Sequence, residues 1–77
     1  MDQSLFLMQL ATRYSKKPGP VTLYSSFDEL GMGPYEVLDF MLKVEEEYGI
    51  AMDDFELLSV RTIADVQDAV ARCMNHA

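Results

Sequence analysis

Residues 33–49 read GPYEVLDFMLKVEEEYG, and this stretch decides the fold. Proline is favoured at the first position of a helix, where its missing N–H has no partner to lose. Gly33-Pro34 therefore predicts a helix start. Gly49 predicts its end, because glycine takes the left-handed conformation that commonly follows a last helical turn. Between them Val37, Met41, Val44 and Tyr48 recur at i, i+4, i+7 and i+11, the spacing of one helical face turned to a core. Leu38 and Leu42 are expected to widen that face. Glu36, Asp39, Glu46 and Glu47 fall on the other side, with Lys43 the one base and an i,i+4 partner for Asp39.

Working outward, QSLFLMQLATRY over residues 3–14 predicts a first helix. Leu7, Leu10, Ala11 and Tyr14 form its apolar stripe, and Leu5 and Met8 widen it. Ser15-Lys16-Lys17-Pro18-Gly19-Pro20 stops it, since two prolines and a glycine in three residues cannot continue a helix. Residues 18–34 form a long first connection. Val21, Leu23, Tyr24, Phe27 and Leu30 make it too apolar for a free linker, so it is expected to lie on the helices and plug one end of the core. Val21–Tyr24 has the composition of a short strand, but no second run offers to pair with it, and it is read as loop. Asp28-Glu29-Leu30 suits a brief helical turn. Beyond Gly49, Asp53 is placed as the cap of a short helix from Asp54 to Leu58, with Phe55 and Leu58 facing in. Thr62 and Asp65 have the spacing of a capping box. Ile63, Val66, Ala69, Val70 and Cys73 then give the apolar face of a last helix. Residues 1–77 read as a single all-α domain.

Thirteen acids against six bases leave a net charge of −7. Nucleic acid would be repelled, and partners with basic surfaces would be attracted. One cysteine, Cys73, excludes a disulfide framework and a thiolate zinc site, and its position reads as core. His76 lies too near the end of the sequence to anchor a triad or a metal. Asp53-Asp54-Phe55-Glu56 lacks the length and glycine of a calcium loop, and Gly31-Met32-Gly33 is too short to cradle a phosphate. The N-terminus has Asp2 where a signal peptide needs positive charge, and no run is long and apolar enough for a membrane span. A cytoplasmic monomer that is not an enzyme is expected.

The ordered blocks from Phe27 to Val70 resemble the acyl carrier protein family. Phe27-Asp28-Glu29-Leu30-Gly31 is similar to the family's segment before its modification site. Val44-Glu45-Glu46-Glu47-Tyr48-Gly49-Ile50 is similar to the end of its second helix. Asp53-Asp54-Phe55 and Arg61-Thr62-Ile63-Ala64-Asp65-Val66 resemble its third helix and the start of its fourth. The resemblance implies a four-helix bundle of the acyl-carrier-protein type, with a long first loop and a short third helix.

The resemblance also implies a defining Asp-Ser-Leu motif at the start of the second helix, whose serine carries 4′-phosphopantetheine through a phosphodiester. Here those positions are Gly33, Pro34 and Tyr35, and proline has no hydroxyl to modify. No cofactor is therefore expected. In the family the second helix meets basic patches on enzymes of acyl metabolism such as fatty-acid or polyketide synthesis. Carried over, Tyr35, Glu36, Asp39, Leu42, Glu46 and Glu47 become the expected partner-binding residues. The alternative is a working acyl carrier whose attachment site is altered or displaced, with Ser25 and Ser26, in the loop eight or nine positions earlier, as the serines to consider. Met8, Met41 and Met52 would make the core adaptable, but nothing in the sequence calls for a lipid bound without an arm.

Overall fold

A computed structural model describes residues 3–75. Four helices follow in order: α1 (Gln3–Tyr14), α2 (Pro34–Tyr48), α3 (Asp54–Ser59) and α4 (Ile63–Asn75). No strand is found among the described residues. Asp2 and His76, on which the readings of the N-terminus and the lone histidine rest, lie outside them.

Each helix begins and ends as its local chemistry requires. Gly33 leads into Pro34 in extended conformation, and the Glu36 carboxylate turns back to accept from the Gly33 N–H at 3.0 Å. Gly49 closes α2 at φ 64°, a backbone position where a side chain is strained, and Ile50 N–H returns to the Glu45 carbonyl at 3.1 Å. Asp53 caps α3 by accepting from Glu56 N–H at 2.8 Å. At α4 the Asp65 carboxylate accepts from the backbone N–H groups of Arg61 and Thr62 at 2.9 and 3.1 Å, and the Thr62 hydroxyl accepts from Asp65 N–H at 3.1 Å. The pair thus forms a reciprocal cap with aspartate in the usual glutamate's place. Thr62→Ala is expected to lower the unfolding free energy by about 1 kcal/mol. A urea titration checks this, the midpoint falling while the slope holds; an unchanged midpoint would mean the cap contributes nothing.

The core is built where three helices meet. Leu7, Leu10 and Ala11 of α1, Phe40, Met41 and Val44 of α2, and Ile63, Val66, Ala69 and Val70 of α4 are buried. α1 packs against both α2 and α4. Burying a side chain of the size of Leu7 or Met41 contributes roughly 1.5–3 kcal/mol. Phe27, Leu30 and Met32 bring the first loop onto the core, as its apolar content predicts, and Phe27–Leu30 forms a turn closed by Leu30 N–H on the Ser26 carbonyl at 3.1 Å.

The structure corrects several expectations. Phe40, missing from the predicted α2 stripe, is fully buried, its ring edge-on to Tyr14 and Phe27 at 6.0 and 5.6 Å. Leu38 and Leu42 are half exposed instead of core. Each sits about 100° round the helix from a core residue, Val37 or Met41, and so leaves the buried arc. Leu5 of α1 is also half exposed, and Tyr24 of the loop is exposed. In α3 the phase is reversed: Phe55 and Leu58 face solvent, and Leu57 packs on the core. Buried Met52 and Val60 anchor the chain at either side of this short helix, and their positions set which face turns in. The loop also finds the pairing partner that the sequence did not reveal. Phe27 N–H donates to the Arg61 carbonyl at 3.0 Å and Ile63 N–H donates to the Ser25 carbonyl at 3.3 Å. They flank a single antiparallel bridge, Ser26 to Thr62, too short to be a strand.

Candidate functional site

The start of α2 and the α3 residues Leu57 and Leu58 line one groove. Pro34 occupies the first position of α2 and is exposed. Its pyrrolidine ring presents no oxygen. Gly33 before it has φ −82° and ψ 178°, ordinary extended backbone. Tyr35 after it is 83% exposed, as its place beside a loop predicts.

The predicted partner-binding residues divide into two rows. Tyr35, Asp39, Leu42 and Glu46 at i, i+4, i+7 and i+11 run along the outermost ridge of α2, opposite the buried arc. Glu36 and Glu47 lie on the flank, with Lys43 between them. Two of the acids have partners inside the molecule. Glu36 Oε1 accepts from Lys16 Nζ at 2.7 Å as well as from Gly33 N–H. The Lys16 ammonium, and after it the Gly33 amide, hold the Glu36 carboxyl below its usual range. Asp39 Oδ2 accepts from the Tyr14 hydroxyl at 2.6 Å, not from Lys43, and this bond, followed by burial, pushes the Tyr14 phenol up. Tyr14 at the end of α1 and Lys16 just beyond it are thus tied to α2 through two carboxylates. Both contacts lie at the surface, so their contribution to stability is small. Glu46 and Glu47 are exposed. Glu45, which played no part in the expected docking face, accepts from Met52 N–H at 2.6 Å and fixes the turn after α2.

Ser25 and Ser26 are both engaged in the loop. Ser25 is buried, and its hydroxyl accepts from Thr22 N–H at 3.0 Å. The Ser26 hydroxyl accepts from Glu29 N–H at 3.0 Å and donates to the Glu29 carboxylate at 3.2 Å. Cys73 is half-buried against the core, and burial pushes its thiol up, away from the reactive thiolate. Asp53 is used as a cap and Glu56 pairs with Arg72 at 2.8 Å. Among the described residues no set of three His, Cys, Asp or Glu side chains is arranged to hold a metal ion. No helix among them is long and apolar enough to cross a membrane.

Beside Pro34 opens a groove of about 620 Å³. Gly33, Pro34, Tyr35, Val37, Leu38 and Met41 form its α2 wall. Leu57 and Leu58 form its α3 wall, and Phe27, Asp28, Met32, Val60 and Arg61 line it from the connections. Sequence reasoning missed this groove because it placed Leu38 and Leu58 in the core. The signal that could have found it is the pair Leu57-Leu58, adjacent apolar residues that cannot both face inward from one turn of helix.

No family model matches the chain. In sequence it is 29% identical over 58 residues to an acyl carrier protein of Exiguobacterium sibiricum, covering 74% of this chain and 73% of that protein. In structure it matches the crystal structure of an acyl carrier protein from Thermotoga maritima with a TM-score of 0.78 at 23% identity. That match covers 94% of this chain and 86% of the other. The fold is therefore the four-helix fold of acyl carrier proteins, and the chain is similar to them in sequence.

Proposed function

We propose that this chain is an acyl-carrier-protein-like protein, not an enzyme, that carries no 4′-phosphopantetheine and acts by binding other proteins through the acidic face of α2. The observation that carries this reading is Pro34 at the first position of α2, where the resemblance puts the attachment serine. A phosphodiester needs an oxygen nucleophile on the protein side, and neither Gly33 nor Pro34 has a side-chain oxygen. The Tyr35 phenol stands one residue beyond the serine position. The loop hydroxyls fit the role poorly. They lie eight and nine residues before Pro34, Ser25 is buried, and both are bonded within their own turn.

The acids of α2 support a protein partner with a basic patch, and enzymes of acyl metabolism are the class that the sequence relative and the shared fold favour. A net charge of −7 raises the encounter rate with such a surface. Glu46 and Glu47 supply the exposed carboxylates, while Glu36 and Asp39 are engaged by Lys16 and Tyr14.

Charge reversal tests this reading. Glu46→Lys with Glu47→Lys is expected to weaken binding to a ketosynthase or an acyltransferase of fatty-acid synthesis about tenfold and to flatten its salt dependence. Asp68→Lys on α4 serves as the control and is expected to leave binding within about twofold. Equal affinities for the native chain and the α2 variant in surface plasmon resonance would remove α2 as the docking face.

A further inference from the structure

Of the acids on α2, Glu36 alone is ion-paired among the described residues, and its partner Lys16 comes from outside the helix. Lys16 lies just beyond the end of α1, in a segment whose backbone is pinned. Its N–H donates to the Leu30 carbonyl at 2.8 Å. The neighbouring Ser15 hydroxyl donates to the Lys17 carbonyl at 3.1 Å and accepts from Lys17 N–H at 3.3 Å. The first loop closes on this segment at Gly31, where a Cβ would stand 3.4 Å from the Lys16 Cβ and 3.3 Å from the Lys17 Cγ. Only the Lys16 side chain is left to swing. Its ammonium sits 2.7 Å from Glu36 Oε1, the oxygen that also accepts from Gly33 N–H at the α2 start. The Lys16 side chain is 62% exposed and that of Glu36 30%, so water screens the pair and it opens at little cost. Asp39 differs, because its partner is the neutral Tyr14 hydroxyl, which leaves the charge of the carboxylate in place.

A lysine held on an acid of α2 does what a partner's lysine would do there. Tethered in the same molecule, it acts at an effective concentration well above that of a partner in solution. We propose that Lys16 is a built-in competitor for the acidic face of α2: paired with Glu36 it masks that carboxylate, and a basic partner gains the Glu36 charge only by displacing the Lys16 ammonium. This rests on the reading that α2 docks a protein partner, and it adds the regulation of that face. Glu46 and Glu47, exposed near the end of α2, attract a base from the start. Glu36, at the beginning of the helix, opens last. The mask also sorts partners. An arginine, whose two N–H groups take both oxygens of a carboxylate, displaces the single contact of a lysine better than another lysine does.

A double-mutant cycle on Lys16 and Glu36 tests this, read as affinity for the same ketosynthase in surface plasmon resonance. Lys16→Gln is expected to tighten binding about threefold more than Lys17→Gln does, a gain within what a surface ion pair is worth. Lys17→Gln removes the same charge one residue away, from an ammonium that pairs with no carboxylate among the described residues. Glu36→Gln keeps an oxygen for the Gly33 N–H. In the native chain it is expected to change affinity by less than about twofold, because the charge it removes is already compensated. Made in the Glu36→Gln background, Lys16→Gln should gain no more than Lys17→Gln. Both positions lie at the surface, so each variant should melt within about 4 °C of the native chain. Equal gains from the two lysine variants overturn the proposal. So does a Lys16→Gln gain that survives Glu36→Gln, or a threefold loss from Glu36→Gln alone. If Glu46→Lys with Glu47→Lys weakens the enzyme while Lys16 and Glu36 show no coupling, this inference falls and docking through α2 stands. If Glu46→Lys with Glu47→Lys has no effect, both fall.

Discussion

Phe40→Ala is expected to unfold most of the protein at 25 °C. The side chain is fully buried, and its ring touches Tyr14 of α1 and Phe27 of the first loop, so it joins three parts of the chain. Truncating a buried phenylalanine costs about 3–5 kcal/mol, through lost burial and the cavity left behind. A domain of this size has only a few kcal/mol in total, with no disulfide in reserve. The measurement is urea unfolding followed by far-UV circular dichroism. Phe55→Ala provides the contrast, since an exposed phenylalanine should change stability by no more than about 0.5 kcal/mol. If Phe40→Ala lost less than about 1 kcal/mol, the placement of this ring at the centre of the core would be wrong.

Phe40 also shows why part of the fold was not legible in the sequence. The helices themselves were. Pro34 and Gly49 mark both ends of α2 because one residue cannot continue a helix backwards and the other ends it in the left-handed conformation. Asp53, Thr62 and Asp65 announce their caps because those contacts span only three or four residues. Rotation of each helix about its own axis was harder. On α2 the apolar residues run from Val37 round to Leu42, wider than the arc that the core covers, and only packing against α1 and the loop selects Phe40 over Leu38. On α3 the six residues complete less than two turns, so periodicity cannot fix the phase, and the buried neighbours Met52 and Val60 decide it. The bridge from Ser26 to Thr62 joins segments far apart in sequence with no alternation of apolar and polar residues to signal it.

The candidate site divides in the same way. The missing hydroxyl at Pro34, the exposed Tyr35 and the acids of α2 follow from local sequence. The internal bonds of Glu36 to Lys16 and of Asp39 to Tyr14 do not, because their partners lie 20 and 25 residues away. The groove beside Pro34 needs three separate segments to form its walls and could not be read from any one of them.

Installing the family's Asp-Ser-Leu motif at the α2 start tests the proposal from the other side. The triple variant Gly33→Asp, Pro34→Ser, Tyr35→Leu is expected to accept a 4′-phosphopantetheine arm from coenzyme A and a broad-specificity phosphopantetheinyl transferase. The backbone allows it. Gly33 has a negative φ that any residue adopts, and a Cβ there would meet the flexible Glu36 carboxylate at 3.3 Å, which can shift. Aspartate and serine are also favoured near helix starts, so the helix should survive the exchange. A folded triple variant that stays unmodified would show that the arm-transfer surface is missing elsewhere as well.

The most direct measurement is the intact mass of the native chain after the same incubation with coenzyme A and the transferase. An unchanged mass, beside a triple variant that gains one arm, is the predicted result. A native chain that gains the mass of a pantetheine arm would contradict it, and would make this protein a cargo carrier with its attachment point elsewhere.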